Sequence, residues 1–267
     1  MILCDTHAHL DFPDFDSDRE AVIHRATQIG IVFIVNIGIN LETSRKSLEI
    51  AQTHPEVFTS VGFHPHHALE ATPEALLQLE SLAGDSKLAC QRQPRVVAIG
   101  EVGLDYYRDR APRLKQQESF RNQIQLAKRC DLPLVIHTRN AHQDTLSILD
   151  EEGIPSRKGV FHCFSGEEAR LLDFAQEVLR RGFCISFTGN LTYKNSRLPD
   201  IAKCIPLEKT LLETDCPFLA PEPHRGKRSE PMMVSSVAKA LSDIHGIPIE
   251  QVGEICTQAA RKLFNLA

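Results

Sequence analysis

Short apolar runs rich in β-branched residues recur along the 267-residue chain at a regular interval. They fall near residues 2–5, 31–36, 57–62, 96–100, 134–137, 159–162, 183–187 and 210–214. The first begins near residue 2 and the eighth near residue 210, so successive runs start roughly 30 residues apart, the length of one strand–helix unit. Each run is continuously apolar rather than alternating, as in strands covered on both faces. Helical patterns lie between several of them. Residues 17–29 open with Ser17 as an N-cap and Glu20 as its capping-box partner. Residues 113–131 carry Leu114, Phe120, Ile124 and Ala127 on one stripe, and 166–181, 230–245 and 248–265 are similar. Eight strand–helix alternations at this period predict an α/β fold: a closed, parallel (β/α)8 TIM barrel, formed as one domain over residues 1–267. A doubly wound open sheet is the structural alternative.

Composition sets the remaining limits. With 42% hydrophobic and 24% charged residues the chain can bury a large core, which excludes collagen-like, disordered and disulfide-scaffold classes. No apolar run approaches the ~20 residues that span a bilayer. Asp5, His7 and His9 interrupt the opening, so no secretory leader is expected. The eight cysteines, at 4, 90, 130, 163, 184, 204, 216 and 256, form no close pairs, and they are expected as small buried thiols in a reducing cytoplasm. Neither a membrane nor an obligate protein partner is expected. A net charge of −5 excludes a broad basic field for nucleic acid.

The anomaly is 12 histidines. Histidines and acids gather at the C-terminal ends of the predicted strands: Asp5, His7 and His9; His64, His66 and His67; Glu101 and Asp105; His137; His162; Glu213 and Asp215. In a barrel all these ends converge on one face, where active sites are built. His7 and His9 are two residues apart and share a face of an extended strand. Taken singly, His137 or His162 reads as a core residue, Glu101 as a turn acid and Asp215 as a helix cap. Jointly, four histidines (His7, His9, His137, His162) and two carboxylates (Glu101, Asp215) exceed one tetrahedral ion. They suit two divalent ions about 3.5–4 Å apart with a bridging carboxylate. A thiolate-free imidazole–carboxylate set fits Zn²⁺ or Mn²⁺, with Mg²⁺ less favoured by the histidines. His24, His54, His142 and His245 are expected at the surface.

These segments resemble the TatD family of metal-dependent hydrolases, within the amidohydrolase-like barrel superfamily. The matching stretches are Asp5-Thr6-His7-Ala8-His9-Leu10-Asp11, Gly62-Phe63-His64-Pro65-His66, Gly100-Glu101-Val102-Gly103-Leu104-Asp105-Tyr106, Val135-Ile136-His137-Thr138-Arg139, His162-Cys163-Phe164-Ser165-Gly166 and Glu213-Thr214-Asp215-Cys216-Pro217. A basic loop, Pro223 to Pro231, matches as well, with Ser229 where the family often has Asn. The resemblance runs from residue 3 to 265. It implies a two-metal phosphodiesterase with deoxyribonuclease activity; exonuclease-like action on DNA ends or single strands fits a pocket better than duplex wrapping. By motif, His7, His9, Glu101 and Asp215 would hold one ion, and Glu101, His137 and His162 the other, with Glu101 bridging. Asp215 would hold the proton of the attacking water, and His64 would bind a phosphate oxygen or protonate the leaving group. Arg139, Arg225 and Lys227 would contact phosphate. Aromatic residues total 6% with no Trp, so extended base-stacking platforms are not expected. The alternative activity is hydrolysis of another ester or an amide on the same barrel. Against that reading, Glu101 stands at the strand-4 position where some relatives carry a carbamylated lysine. A non-enzymatic metal-binding protein is the remaining alternative, disfavoured because structural zinc sites are usually closed and four-coordinate.

Overall fold

A computed structural model of the chain describes residues 1–88, 95–166 and 170–267. Cys90 and the predicted helical residues 167–169 lie outside that set. The strands are β1 Leu3–Ala8, β2 Ile31–Ile37, β3 Val57–Val61, β4 Val96–Asp105, β5 Leu134–Arg139, β6 Gly159–Phe161, β7 Cys184–Phe187 and β8 Thr210–Leu212. They alternate with α1 Arg19–Gln28, α2 Leu41–Thr53, α3 Pro73–Leu88, α4 Arg113–Cys130, α5 His142–Glu152, α6 Leu171–Arg180, α7 Leu198–Ala202, α8 Val234–His245 and α9 Ile249–Phe264. This is the predicted (β/α)8 barrel, with parallel strands in sequential order. Every residue of β1, β3 and β4 is buried, which explains their continuous apolar pattern. No helix among the described residues is long and apolar enough to cross a membrane.

Contacts divide the chain into two compact units. The first comprises Met1–Asn36 and Cys163–Lys262. Within it β1 pairs with β2 (Leu3 opposite Ile31), β7 pairs with β8 (Ile185 opposite Thr210), and Ala8 bridges to Cys216, all in parallel. Leu3, Ile34, Phe183 and Phe187 are buried there. The second comprises Ile37–His162 with Leu263–Ala267. Here β3, β4, β5 and β6 pair in turn, with Ser60 opposite Ala98, Gly103 opposite His137 and Leu134 opposite Gly159. Phe63, Ile99, Phe120 and Phe161 are buried. Gly103 has φ +135°, and a Cβ on it would lie 2.0 Å from the His137 carbonyl oxygen, so only glycine lets β4 and β5 approach at this level.

Several expectations are corrected. The predicted first and fourth strands stop at their first acids, near residues 5 and 100. The observed β1 carries His7 inside the strand, and β4 runs on to Asp105 with Glu101 mid-strand. The acids stay in the ladder because β5 pairs Val102 through Asp105 with Ile136 through Arg139. Ser17 does not cap α1: Asp18 occupies the N-cap and makes no capping bond, its carboxylate being taken by Arg228 and Arg25. Leu114 is 78% exposed in the first turn of α4, while Phe120, Ile124 and Ala127 form the buried stripe. The helix expected from 230 starts at Val234, after a short 3-10 turn over Pro231–Met233. His24 is exposed, whereas His54, His142 and His245 are half-buried. Of the described cysteines, 4, 130, 184, 216 and 256 are buried, Cys163 is half-buried and Cys204 is exposed; all are free thiols.

Candidate metal centre

The first unit gathers one cluster at the end of β1. The two-residue spacing puts both imidazoles on one side, with Nε2 of His7 and of His9 lying 3.6 and 3.5 Å from Oδ1 of Asp215. Asp215 comes from the turn after β8, and its backbone N–H donates to the His7 carbonyl at 2.8 Å. Asp5 fixes that register. Its Oδ1 accepts from the Thr214 N–H at 3.0 Å, its Oδ2 from the Thr214 hydroxyl at 2.6 Å. Asp5 is fully buried, and burial raises its carboxyl to about 8 against the lowering effect of the Thr214 and His7 hydrogen bonds. On the far side of His9, Phe12 stacks on the imidazole with ring centroids 4.7 Å apart and planes at 24°.

The second unit centres on Glu101 of β4. Its Oε1 lies 2.7 Å from His162 Nε2, 2.8 Å from His137 Nδ1 and 3.4 Å from His64 Nε2. His64 follows β3, tied by its N–H to the Ile39 carbonyl at 2.9 Å. Its Nδ1 accepts the His66 N–H at 3.1 Å, so the neutral ring carries its proton on Nε2, facing Glu101. Burial pushes His64 well below the usual imidazole range, against the pull of Glu101. Burial opposes ionisation of Glu101 too, but the His162 charge and the hydrogen bonds from His137 and His162 outweigh it and hold the carboxyl well below the usual range.

Asp105, at the end of β4, meets two of the imidazoles although its position in the sequence suggests no role. Its Oδ2 lies 2.9 Å from His66 Nε2 and 3.4 Å from His137 Nε2; its Oδ1 accepts the Tyr107 and Arg108 N–H groups at 3.0 and 2.8 Å. Burial raises its carboxyl, yet the His137 and His66 bonds outweigh that and leave it far below the ordinary range. His137 thus lies between two carboxylates, Glu101 2.8 Å from its Nδ1 and Asp105 3.4 Å from its Nε2. Period two was the available signal: Glu101, Gly103 and Asp105 share one strand face.

The donor sets fit divalent cations. His7–His9–Asp215 and His64–Glu101–His137 each present one ligand atom per residue, all within 4.8 Å of one another. Two ligands each about 2.1 Å from a tetrahedral ion stand about 3.4 Å apart, close to the separations in the first cluster. Nitrogen and carboxylate oxygen without thiolate suit Zn²⁺ or Mn²⁺, with Mg²⁺ less favoured by the imidazoles. The structure thus brings His7, His9 and Asp215 together, and likewise His64, Glu101, His137 and His162.

Arg139, Arg225 and Lys227 belong to neither cluster. Arg139 is exposed with its guanidinium 4.1 Å from the Tyr107 ring centroid. Arg225 is exposed, 4.3 Å from the Tyr193 ring centroid and 4.0 Å from Glu222; Lys227 is exposed. Arg228, in the same basic loop, is not available for a ligand. It is clamped by Asp18 at 2.8 and 2.7 Å, by Glu230 at 2.9 Å and by the Asp14 carbonyl at 2.6 Å.

A (β/α)8 barrel carrying buried imidazole–carboxylate clusters defines a metal-dependent hydrolase. The comparisons narrow the class. A family model described as TatD related DNase matches residues 4–265. The uncharacterized metal-dependent hydrolase YabD of Bacillus subtilis (strain 168) is 40% identical over 266 residues, 99% of this chain and 100% of that protein. The uncharacterized metal-dependent hydrolase YcfH of Escherichia coli (strain K12) is 35% identical over 270 residues, 100% and 97% of the two chains. The crystal structure of YjjV, a TatD homolog from Escherichia coli K12, matches with a TM-score of 0.90 at 30% identity, covering 99% of this chain and 98% of that one. The chain belongs to the TatD family.

Proposed function

We propose that the chain hydrolyses phosphodiester bonds in DNA, at ends or in single strands, with two divalent cations. The observation that carries this reading is the presence of two carboxylate-centred donor sets, Asp215 with two imidazoles and Glu101 with three. His7, His9 and Asp215 would hold one cation; Glu101, His137 and His162 would hold the other. Bound there, such cations supply positive charge to a phosphoryl oxygen and lower the pKa of water toward neutrality. The chain's own groups do the rest. His64 is kept neutral by burial, and its Nε2–H donates to a phosphate oxygen or leaving group. The Asp215 carboxylate, 15% exposed, would take up the proton that water releases. Arg139, Arg225 and Lys227 bind phosphates as local cations. With a net charge of −5, affinity for polynucleotide rests on these few contacts and stays modest. The family model's description supports the choice of DNA among phosphodiesters.

The test uses metal-free protein restored with Zn²⁺, Mn²⁺ or Mg²⁺. It is assayed on labelled single-stranded and duplex DNA beside a panel of carboxylic esters and amides. Metal-dependent DNA cleavage supports the reading. Ester or amide turnover without phosphodiester cleavage overturns it. Replacing Arg225 and Lys227 together with Ala should raise KM on polynucleotide and spare a small neutral substrate.

A further inference from the structure

Phe218 stands out in the turn that follows Asp215. It is 50% exposed, while its neighbours Cys216, Pro217 and Ala220 are buried. A segment that needed only to pack would put the phenyl ring inside and leave the small residues out. The backbone around it is fixed at several points. The Phe218 N–H donates to the Asp215 carbonyl at 2.9 Å, and the Ser229 N–H to the Pro217 carbonyl at 3.0 Å. The Tyr193 hydroxyl donates to the Ala220 carbonyl at 3.2 Å. Leu219 is held at φ +51°, a strained angle for a bulky residue, with its carbonyl where a Cβ on Gly189 would be 2.1 Å away. The ring is therefore presented by a rigid turn. Its centroid lies 6.3 Å from the His9 ring and 6.0 Å from Phe12, which it meets at 81°, while Phe12 itself lies flat against His9. The two phenyl rings make an open corner beside the His9–Asp215 cluster.

We infer that this corner of Phe218 and Phe12 takes one planar ring, the nucleobase attached to the phosphate under attack. The inference rests on the phosphodiesterase reading above. Every base has a π-face, and phenyl offers no hydrogen bond to a base edge, so the corner orients a base with little discrimination among the four. One corner matches an aromatic content too low for an extended platform. Tyr193, which anchors Ala220, carries the Arg225 guanidinium over its ring, so a phosphate contact and the base contact arise from the same turn.

The experiment compares F218A, F218W and the parent, each loaded with metal. The substrates are an oligothymidylate and an oligomer of equal length whose sugars are all abasic tetrahydrofuran units. F218A should raise KM on oligothymidylate about ten-fold, as the loss of one stacking contact implies, and change KM on the abasic oligomer by less than about two-fold. F218W should restore the parent KM. Equal changes on both substrates, or none on oligothymidylate, would overturn the base corner while leaving phosphodiester cleavage intact. A parent that cleaves neither oligomer with any metal overturns the phosphodiesterase reading itself, and the corner with it.

Discussion

Oε1 of Glu101 lies 2.7 Å from Nε2 of His162, and the same oxygen reaches His137 and His64. One carboxylate oxygen serving three imidazoles leaves no substitute if it is removed. In E101Q the amide keeps the side-chain volume but loses the charge that would bind a cation. Loss of an outer-sphere partner costs about 10–100-fold, so loss of this inner group should lower kcat/KM by more than about 100-fold. Bound metal, measured by elemental mass spectrometry, should fall in parallel while circular dichroism is unchanged. Parent-like metal content and turnover in E101Q would remove Glu101 from the centre.

Asp105 should act through His137 rather than on substrate. D105N keeps the shape but weakens the grip on His137 Nε2 and His66 Nε2. The expected result is a metal affinity reduced about 10–100-fold, read by chelator competition, with kcat largely recovered at saturating metal. A variant whose kcat stays low at saturating metal, with affinity unchanged, would place Asp105 in the chemistry instead of in positioning.

The barrel and the candidate donor set were legible because both repeat. An apolar run every ~30 residues can be read without knowing any contact, and six costly polar residues at strand ends are hard to explain otherwise. What stayed hidden depended on long-range partners. Asp5 meets Thr214 across 209 positions and Arg228 meets Asp18 across 210, so nothing local marks Asp5 as a staple or distinguishes Arg228 from its exposed neighbours Arg225 and Lys227. Strand ends were misread for a related reason. A buried acid such as Glu101 looks like a strand terminus until its histidines are seen around it. Phe218 sits in an apolar stretch that carries no outward signal, and only the strained turn turns it outward.

The Arg228 clamp should behave as a structural ion pair. Its hydrogen bond to Asp18, more than the wider Coulomb field, holds the Asp18 carboxyl below its ordinary value. A carboxylate depressed in this way contributes stability that is complete above the unfolded value near ~4 and is lost as pH falls through the folded value. The pair is about one-third exposed on both sides, so solvent screening limits it to about 1 kcal/mol or less. R228A should melt about 2–4 °C below the parent at pH 7, and the gap should narrow as pH drops below about 4. KM on polynucleotide should not change, in contrast to the Arg225 and Lys227 variant. A gap that widens toward acid would contradict the pairing.

Thiol reactivity offers an independent check on burial. The nucleophile is the thiolate, so a cysteine needs both exposure and an accessible pKa to react. Burial pushes the Cys4 thiol up to about 12 and also raises Cys184, Cys216 and Cys256. Cys204, at the end of α7, is exposed. In the native protein an aromatic disulfide reagent should modify Cys204 within minutes at pH 8, whereas Cys4, Cys216 and Cys256 should react only after unfolding. C204S should remove one fast equivalent and leave the total in denaturant lower by one. If the fast phase were the same size in C204S as in the parent, the exposed thiol would lie elsewhere and the packing around α7 would be wrong.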